Sequence, residues 1–445
     1  ESIKLVDQRY PYAGTDNVLI ELGLINIKDK KDSVRWIDLG DDKDIYITQA
    51  KWLPNSNTFS YQWQTRNQQQ QQLVFVDAKT LSTTPVITEK SDTWVNIHDG
   101  LKYLDNGFLW TSEQDGFLHI YHYDYSGKVV AQLTKGEWVV DGLKGMNKSN
   151  GDIYFTGRKD TPIESHLYKV NINKPQQITK VSKREGFHRI SFSKDASVYV
   201  DSFSNYMQPP QVSLHKANGE RITWMEENKV DKNHPFHPYQ SDYIKPRFGT
   251  LAAEDGQTLH YRIFEPVGFE GKRPTINYVY GGPGVQRVTN TWSVRNALIQ
   301  HLVQKGYVVF QLDNRGSSKR GKKFEDPIYK HLGEIELVDQ LTGVDYLKTL
   351  DSVDPDRIAI YGHSYGGYMT IMGMFKAPDV FKVGVSGAPV TDWGLYDTHY
   401  TERFAGHPGK NNEDYEISNV FKYADGLKGD LLIYHGMADD NVLFT

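Results

Sequence analysis

The stretch YGHSYGGYMT, Tyr361–Thr370, decides how the C-terminal half is read. Within it, Gly362-His363-Ser364-Tyr365-Gly366 fits G-x-S-x-G, a pattern that is weak alone because short matches arise by chance. Its surroundings give it weight. The apolar run RIAIY precedes it and the helix-like run YGGYMTIMGMF follows. A strand, a tight turn and a helix are what a nucleophile elbow requires, with the serine strained and its hydroxyl held above the sheet. Side chains at Gly362 or Gly366 would strike neighbouring backbone in so tight a turn. Ser364 is therefore a candidate nucleophile.

The segments around the elbow share its grammar. Thr275–Gly282, Gly306–Gly316, Arg357–Ser364, Phe381–Pro389 and Asp430–Asp440 each hold a continuous apolar run of the buried-strand type. Helical patterns such as WSVRNALIQHLVQKG and ELVDQLTGVDYLKTL lie between them. Strands alternating with helices predict an α/β-hydrolase-type sheet, mostly parallel and doubly wound. Ile244–Pro266 predicts antiparallel strands about an Asp-Gly turn.

The N-terminal half reads differently. Short alternating strands end in polar turns at Asp29, Asp77, Asp124, Asn171 and Lys216, in steps of 48, 47, 47 and 45 residues. Several strands per period in the high forties predict β-propeller blades, each burying its faces only against its neighbours. An all-β sandwich would leave that spacing accidental. About five copies are visible and the first begins abruptly, so the ring is expected to be partial. The division falls at 1–235 for the propeller and 236–445 for the hydrolase, the latter expected to lack its C-terminal part. The glutamine run Gln68–Gln72 lies between two strand-like segments and reads as a hairpin loop.

Composition removes whole classes of function. There is no cysteine, hence no disulfide, thiolate metal site or cysteine nucleophile. A net charge of -5 without a basic block gives no electrostatic support for nucleic-acid binding. No apolar run approaches the roughly 20 residues that span a bilayer. Aromatic residues make up 13%, with 28 tyrosines, as suits strand-rich folds. The chain opens at Glu1 without a methionine, so a processed product or excised segment is expected and a targeting signal would not be visible.

A serine hydroxyl needs a base, and the base needs an acid to orient it. In this fold the chain order is Ser, then Asp or Glu, then His. Asp439 and Asp440 follow the strand run LLIYHGM, and either could be the acid. His399, His407 and His435 all precede them, and His363, inside the elbow, cannot turn back on Ser364. The base is expected beyond Thr445, and the 445-residue polypeptide alone is expected to be inactive.

GHSYGGYMT, VYGGPGVQ at Val279–Gln286, DNRGS at Asp313–Ser317, YDTHYTERFAG at Tyr396–Gly406 and HGMADDNV at His435–Val442 stand in one order. Together they resemble the prolyl oligopeptidase family of serine peptidases, in its bacterial dipeptidyl peptidase IV branch. The resemblance implies an exopeptidase that releases X-Pro or X-Ala dipeptides, with Ser364 as nucleophile and Asp439 as acid. Tyr280 would donate its hydroxyl, and Tyr365 its backbone N–H, to the oxyanion. The proline pocket would comprise Tyr365, Val390, Trp393, Tyr396, Tyr400 and Val442, with Asn441 on the carbonyl of the penultimate residue. Trp393, Tyr396 and Tyr400, at i, i+3 and i+7, would form one aromatic face if helical, and a compact aromatic box suits a proline ring. An ordinary helix packing such a stripe into a core is the bland alternative. Arg315 and Asp339 read as a structural pair.

The family's paired glutamates, which hold the substrate amino group, precede the RYPYAGTDN-like segment and would lie upstream of Glu1. Glu226-Glu227 sits instead at the end of the last blade. The resemblance implies no cofactor or metal, peptide substrates with a penultimate proline, a homodimer, and a periplasmic or secreted location. A prolyl tripeptidyl or acylaminoacyl peptidase is the rival within the family, and a non-catalytic propeller–hydrolase scaffold the rival of another class.

Overall fold

The computed structural model describes residues 9–28 and 33–444. Four antiparallel meanders of four strands follow one another over 45–90, 102–132, 140–180 and 187–226. Each packs on the next. Leu73 and Ile87 of the first join Phe108, Trp110 and Tyr121 of the second in one apolar cluster. Leu104, Leu109 and Ile120 join Ile153, Phe155 and Tyr168 in the next. Tyr154 and Leu167 then meet Ile190 and Tyr199. Sheets that bury their faces only on sequential neighbours are propeller blades.

The residues that set the repeat close the third strand of each blade. Asp77, Asn171 and Lys216 end such strands and Asp124 directly follows one. The Asp77 carboxylate accepts from the Lys79 and Thr80 N–H groups, that of Asp124 from Ser126 and Lys128, and the Asn171 amide from Asn173. An Asx turn needs that residue type, and so the spacing survives as a visible period. The first copy is represented by a two-stranded ladder, Gly23–Leu24 with Arg35–Trp36, and its Asp29 lies outside the described residues.

Beyond the last blade a seven-stranded sheet forms in the order 247–252, 258–264, 308–313, 273–278, 353–363, 381–387, 430–434. Its first two pairings are antiparallel and its other four parallel. Helices α1 (Asn296–Gln304), α2 (Lys322–Glu325), α3 (Ile335–Lys348), α4 (Tyr365–Lys376), α5 (Thr398–Ala405) and α6 (Asn412–Ser418) lie between or beside the strands. The chain is thus a partial β-propeller followed by an α/β-hydrolase sheet. Strand 353–363 is central and leads directly into α4, which places the elbow at the carboxyl edge of the sheet, where α/β folds carry their sites. No described helix is long and apolar enough to cross a membrane.

Candidate active site

Ser364 occupies the single residue between the central strand and α4, with φ 61° and ψ −124°. A non-glycine residue holds such a conformation only where the surroundings impose it, at a cost of about 1–3 kcal/mol. Those surroundings are backbone. A Cβ on Gly362 would collide with the Gly366 carbonyl, and one on Gly366 with the Val279 carbonyl. The Ser364 N–H donates to the Gly387 carbonyl at 2.8 Å, tying the turn to the adjacent strand. The Ser364 side chain stays half-buried at the mouth while Tyr365, which follows it, is fully enclosed.

Tyr280 approaches from the end of the neighbouring strand and stands beside Ser364, which tempers the shift of its phenol. Burial raises its phenol above the ordinary range, and the guanidinium of Arg287, 4.7 Å from the ring centroid, opposes that rise. The N–H of Tyr365 belongs to the first turn of α4, where no intrahelical acceptor exists. A hydroxyl and a helix-terminal N–H therefore converge beside Ser364.

Tyr365, Val390, Trp393 and Val442 are buried in one cluster, with Tyr280, Tyr396 and Tyr400 packed against it. Trp393 and Tyr400 stack at 6.0 Å, Tyr396 meets both at 5.9 and 5.4 Å, and Tyr365 lies 5.4 Å from Trp393. The rings converge, but not on one helix as the spacing predicted. Trp393–Leu395 is a 3-10 turn, Tyr396 is extended, and Tyr400 lies on α5. Two aspartates impose the break: Asp392 accepts from the Gly394 N–H and Asp397 from the Tyr400 N–H, so each caps a separate element. The box is assembled from a turn and a helix.

Asp439 follows the last strand, 430–434. Its Oδ1 accepts from the N–H groups of Asn441 and Val442, and its Oδ2 lies 3.4 Å from His435 Nε2. The Asp440 carboxylate is exposed and makes no hydrogen bond among the described residues. Asn441 accepts from the Tyr396 hydroxyl on its side chain and from the Tyr10 hydroxyl on its carbonyl. The ring of His363 lies beside Tyr434, and that of His399 meets Tyr46 edge-on. His435 donates to the Val442 carbonyl at 2.8 Å. No described histidine hydrogen-bonds to Ser364.

Three contributors escaped the sequence reading. Glu336, wholly buried on α3, accepts the Tyr365 hydroxyl at 2.5 Å and the Gly333 N–H, and burial pushes its carboxyl up to about 7. The segment at residues 10–15 lies across the pocket: the Ala13 N–H donates to the Tyr396 carbonyl, and the Thr398 N–H to that of Pro11. The glutamine run is a hairpin loop only at Gln68 and Gln69, since Gln70–Gln72 already pair as strand, and it reaches the same helix because Gln68 Nε2 donates to the His399 carbonyl at 2.6 Å. Arg315 and Asp339 form a buried ion pair at 2.6 Å.

Residues 1–210 match the family described as "Dipeptidyl peptidase IV (DPP IV) N-terminal region", and residues 292–445 the "Prolyl oligopeptidase family". The chain is 32% identical to human dipeptidyl peptidase 8 over 518 residues, covering 98% of this chain and 57% of that protein. It is 31% identical to a probable dipeptidyl peptidase 4 of Aspergillus flavus, over 98% of this chain and 58% of the other. The crystal structure of Porphyromonas gingivalis dipeptidyl peptidase 4 superimposes with a TM-score of 0.90 at 30% identity, over 98% of this chain and 61% of that one. A putative dipeptidyl aminopeptidase IV from Bacteroides ovatus gives 0.90 at 31%, over 99% and 65%. The chain thus spans somewhat under two thirds of the length of these relatives. With both halves matched in order and the elbow inside the second match, the chain belongs to the prolyl oligopeptidase family.

Proposed function

We propose that the chain carries the nucleophile and the proline pocket of a serine exopeptidase that releases X-Pro or X-Ala dipeptides from peptide N-termini. The observation that carries this reading is the strained Ser364, beside Tyr280 and opening onto the box of Tyr365, Trp393, Tyr396 and Tyr400. A proline ring is apolar, rigid and small, and suits a compact aromatic box.

Ser364 Oγ attacks the carbonyl after proline, and its proton passes to an imidazole oriented by Asp439. The Tyr280 hydroxyl and the Tyr365 N–H receive the oxyanion, each such donor contributing about 2.7–4 kcal/mol in the transition state. Collapse expels the amine of the remaining peptide, and water then attacks the acyl-enzyme to release the dipeptide. Val390 and Val442 close the pocket, and the Asn441 amide faces the penultimate carbonyl. The proposal retains the division at 1–235 and 236–445, a homodimer, and a periplasmic or secreted location, all supported by family likeness.

The test is hydrolysis of a Gly-Pro-chromophore by the full-length protein. Release is expected and should disappear in Ser364→Ala. Turnover that persists in that variant would eliminate Ser364 as nucleophile, and a wild type inert toward every X-Pro and X-Ala substrate would favour the scaffold reading.

A further inference from the structure

The aromatic wall of the pocket is held in place by the propeller. Arg66, at the tip of the first blade's inner hairpin, sends its guanidinium to α5. Its Nε and Nη2 each donate to the Glu402 carboxylate at 2.7 Å, a bidentate pair. Nη1 donates to Asp44 at 2.9 Å, and Nη2 also to the Thr15 carbonyl at 2.7 Å. Glu402 is almost fully buried on α5 and also accepts the Gly14 N–H at 2.8 Å. Two residues earlier on that helix stands Tyr400, and just before the helix Tyr396.

Next to Arg66, Gln68 adopts φ 55° and is fully buried. That left-handed conformation is unfavourable for a glutamine. It aims the side-chain amide at the His399 carbonyl on the first turn of α5. Two side chains of one hairpin thus grip α5, while the segment at 11–15 runs between hairpin and helix and bonds to both.

A buried ion pair returns little net stability against the desolvation of its charges, so its main effect is to fix geometry. The guanidinium fork suits that task, because lysine offers a point charge with no bidentate register. We infer that Arg66, with Glu402, is a specificity-positioning pair: it sets where α5 places Tyr396 and Tyr400, and so how well the pocket distinguishes proline from alanine. This rests on the peptidase reading above. A proline ring contacts more of the box than an alanine methyl, so loosening the helix penalises the proline substrate more.

The test compares full-length wild type, Arg66→Ala, Arg66→Lys and the nearly isosteric Glu402→Gln with Gly-Pro- and Gly-Ala-chromophores, alongside amide exchange at 396–405. In Arg66→Ala, kcat/KM for the proline substrate should fall by about 10- to 100-fold, mainly through KM, since misplacement by about 1 Å has effects of that size. The alanine substrate should lose much less, exchange at 396–405 should quicken, and Arg66→Lys should rescue only in part. Folded Arg66→Ala and Glu402→Gln proteins with unchanged discrimination and unchanged exchange would overturn the inference, as would an equal loss on both substrates without faster exchange. Should Arg66→Ala fail to fold, Glu402→Gln decides. A wild type without hydrolysis would sink the peptidase reading alone, because the exchange comparison still reports on the pair.

Discussion

Ser364 and Asp439 sit at the ends of two parallel strands in one sheet, yet their supports differ. The serine strand lies in the middle of the sheet, paired on both sides, and its turn is fixed by backbone contacts that leave no room for a Cβ. The strand before Asp439 is the last of the described sheet, paired on one side among the described residues, and its Leu432, Ile433 and Tyr434 are 60%, 51% and 43% exposed there. Ser364 is held by close packing. Asp439 is held by its own turn and by two tyrosines from elsewhere, Tyr10 and Tyr396 acting through Asn441. Rigid placement is concentrated where strain must be stored, and the Asp439 side depends on contacts distant in sequence.

The contrast can be broken most directly at the elbow. Gly362→Ala should lower the unfolding free energy by at least about 4 kcal/mol or prevent folding, because the colliding atom is backbone and cannot swing away. Urea denaturation measures this, and a loss under 1 kcal/mol would show the turn to be softer than described. A second effect should come from Glu336 beneath Tyr365. Its folded value of about 7 lies above the ordinary 4.5, so its contribution is full below pH 4.5 and is lost as pH rises through 7. The part due to Glu336 is about 3 kcal/mol between those limits. Glu336→Gln, which mimics the protonated acid, should flatten that portion of the stability–pH curve, and an unchanged slope would remove Glu336 as its source. In the 445-residue chain, where Ile433 is exposed, Ile433→Ser should by contrast change stability by only about 0.5 kcal/mol. A larger loss would mean that this strand is held as firmly as the central one.

What the sequence revealed follows how local each cause is. Blade boundaries were legible because an Asx turn uses one side chain and the next few N–H groups, as at Asp77 and Asp124. The elbow was legible because its steric rule is written in two glycines, one two residues before the serine and one two after. The aromatic stripe misled for a local reason as well: Asp397, read as part of one helix, is the cap that starts a new one, and a capping residue inside an apparent stripe was the available signal. Glu336 carried no mark in the helical run ELVDQ, and only the position of Tyr365 shows that it is buried. Arg66 and Glu402, 336 residues apart, left no pattern at all.

The segment lying across the pocket has a consequence for assembly. Tyr10 bonds to Asn441 across 431 residues, and Gly14 to Glu402 across 388. Contacts so far apart along the chain form late, after the loops between them have lost their freedom. During synthesis the segment emerges well before the helix it will lie against and must wait for it. The pocket's wall is therefore among the last surfaces to be completed, and residues made much earlier help to close it.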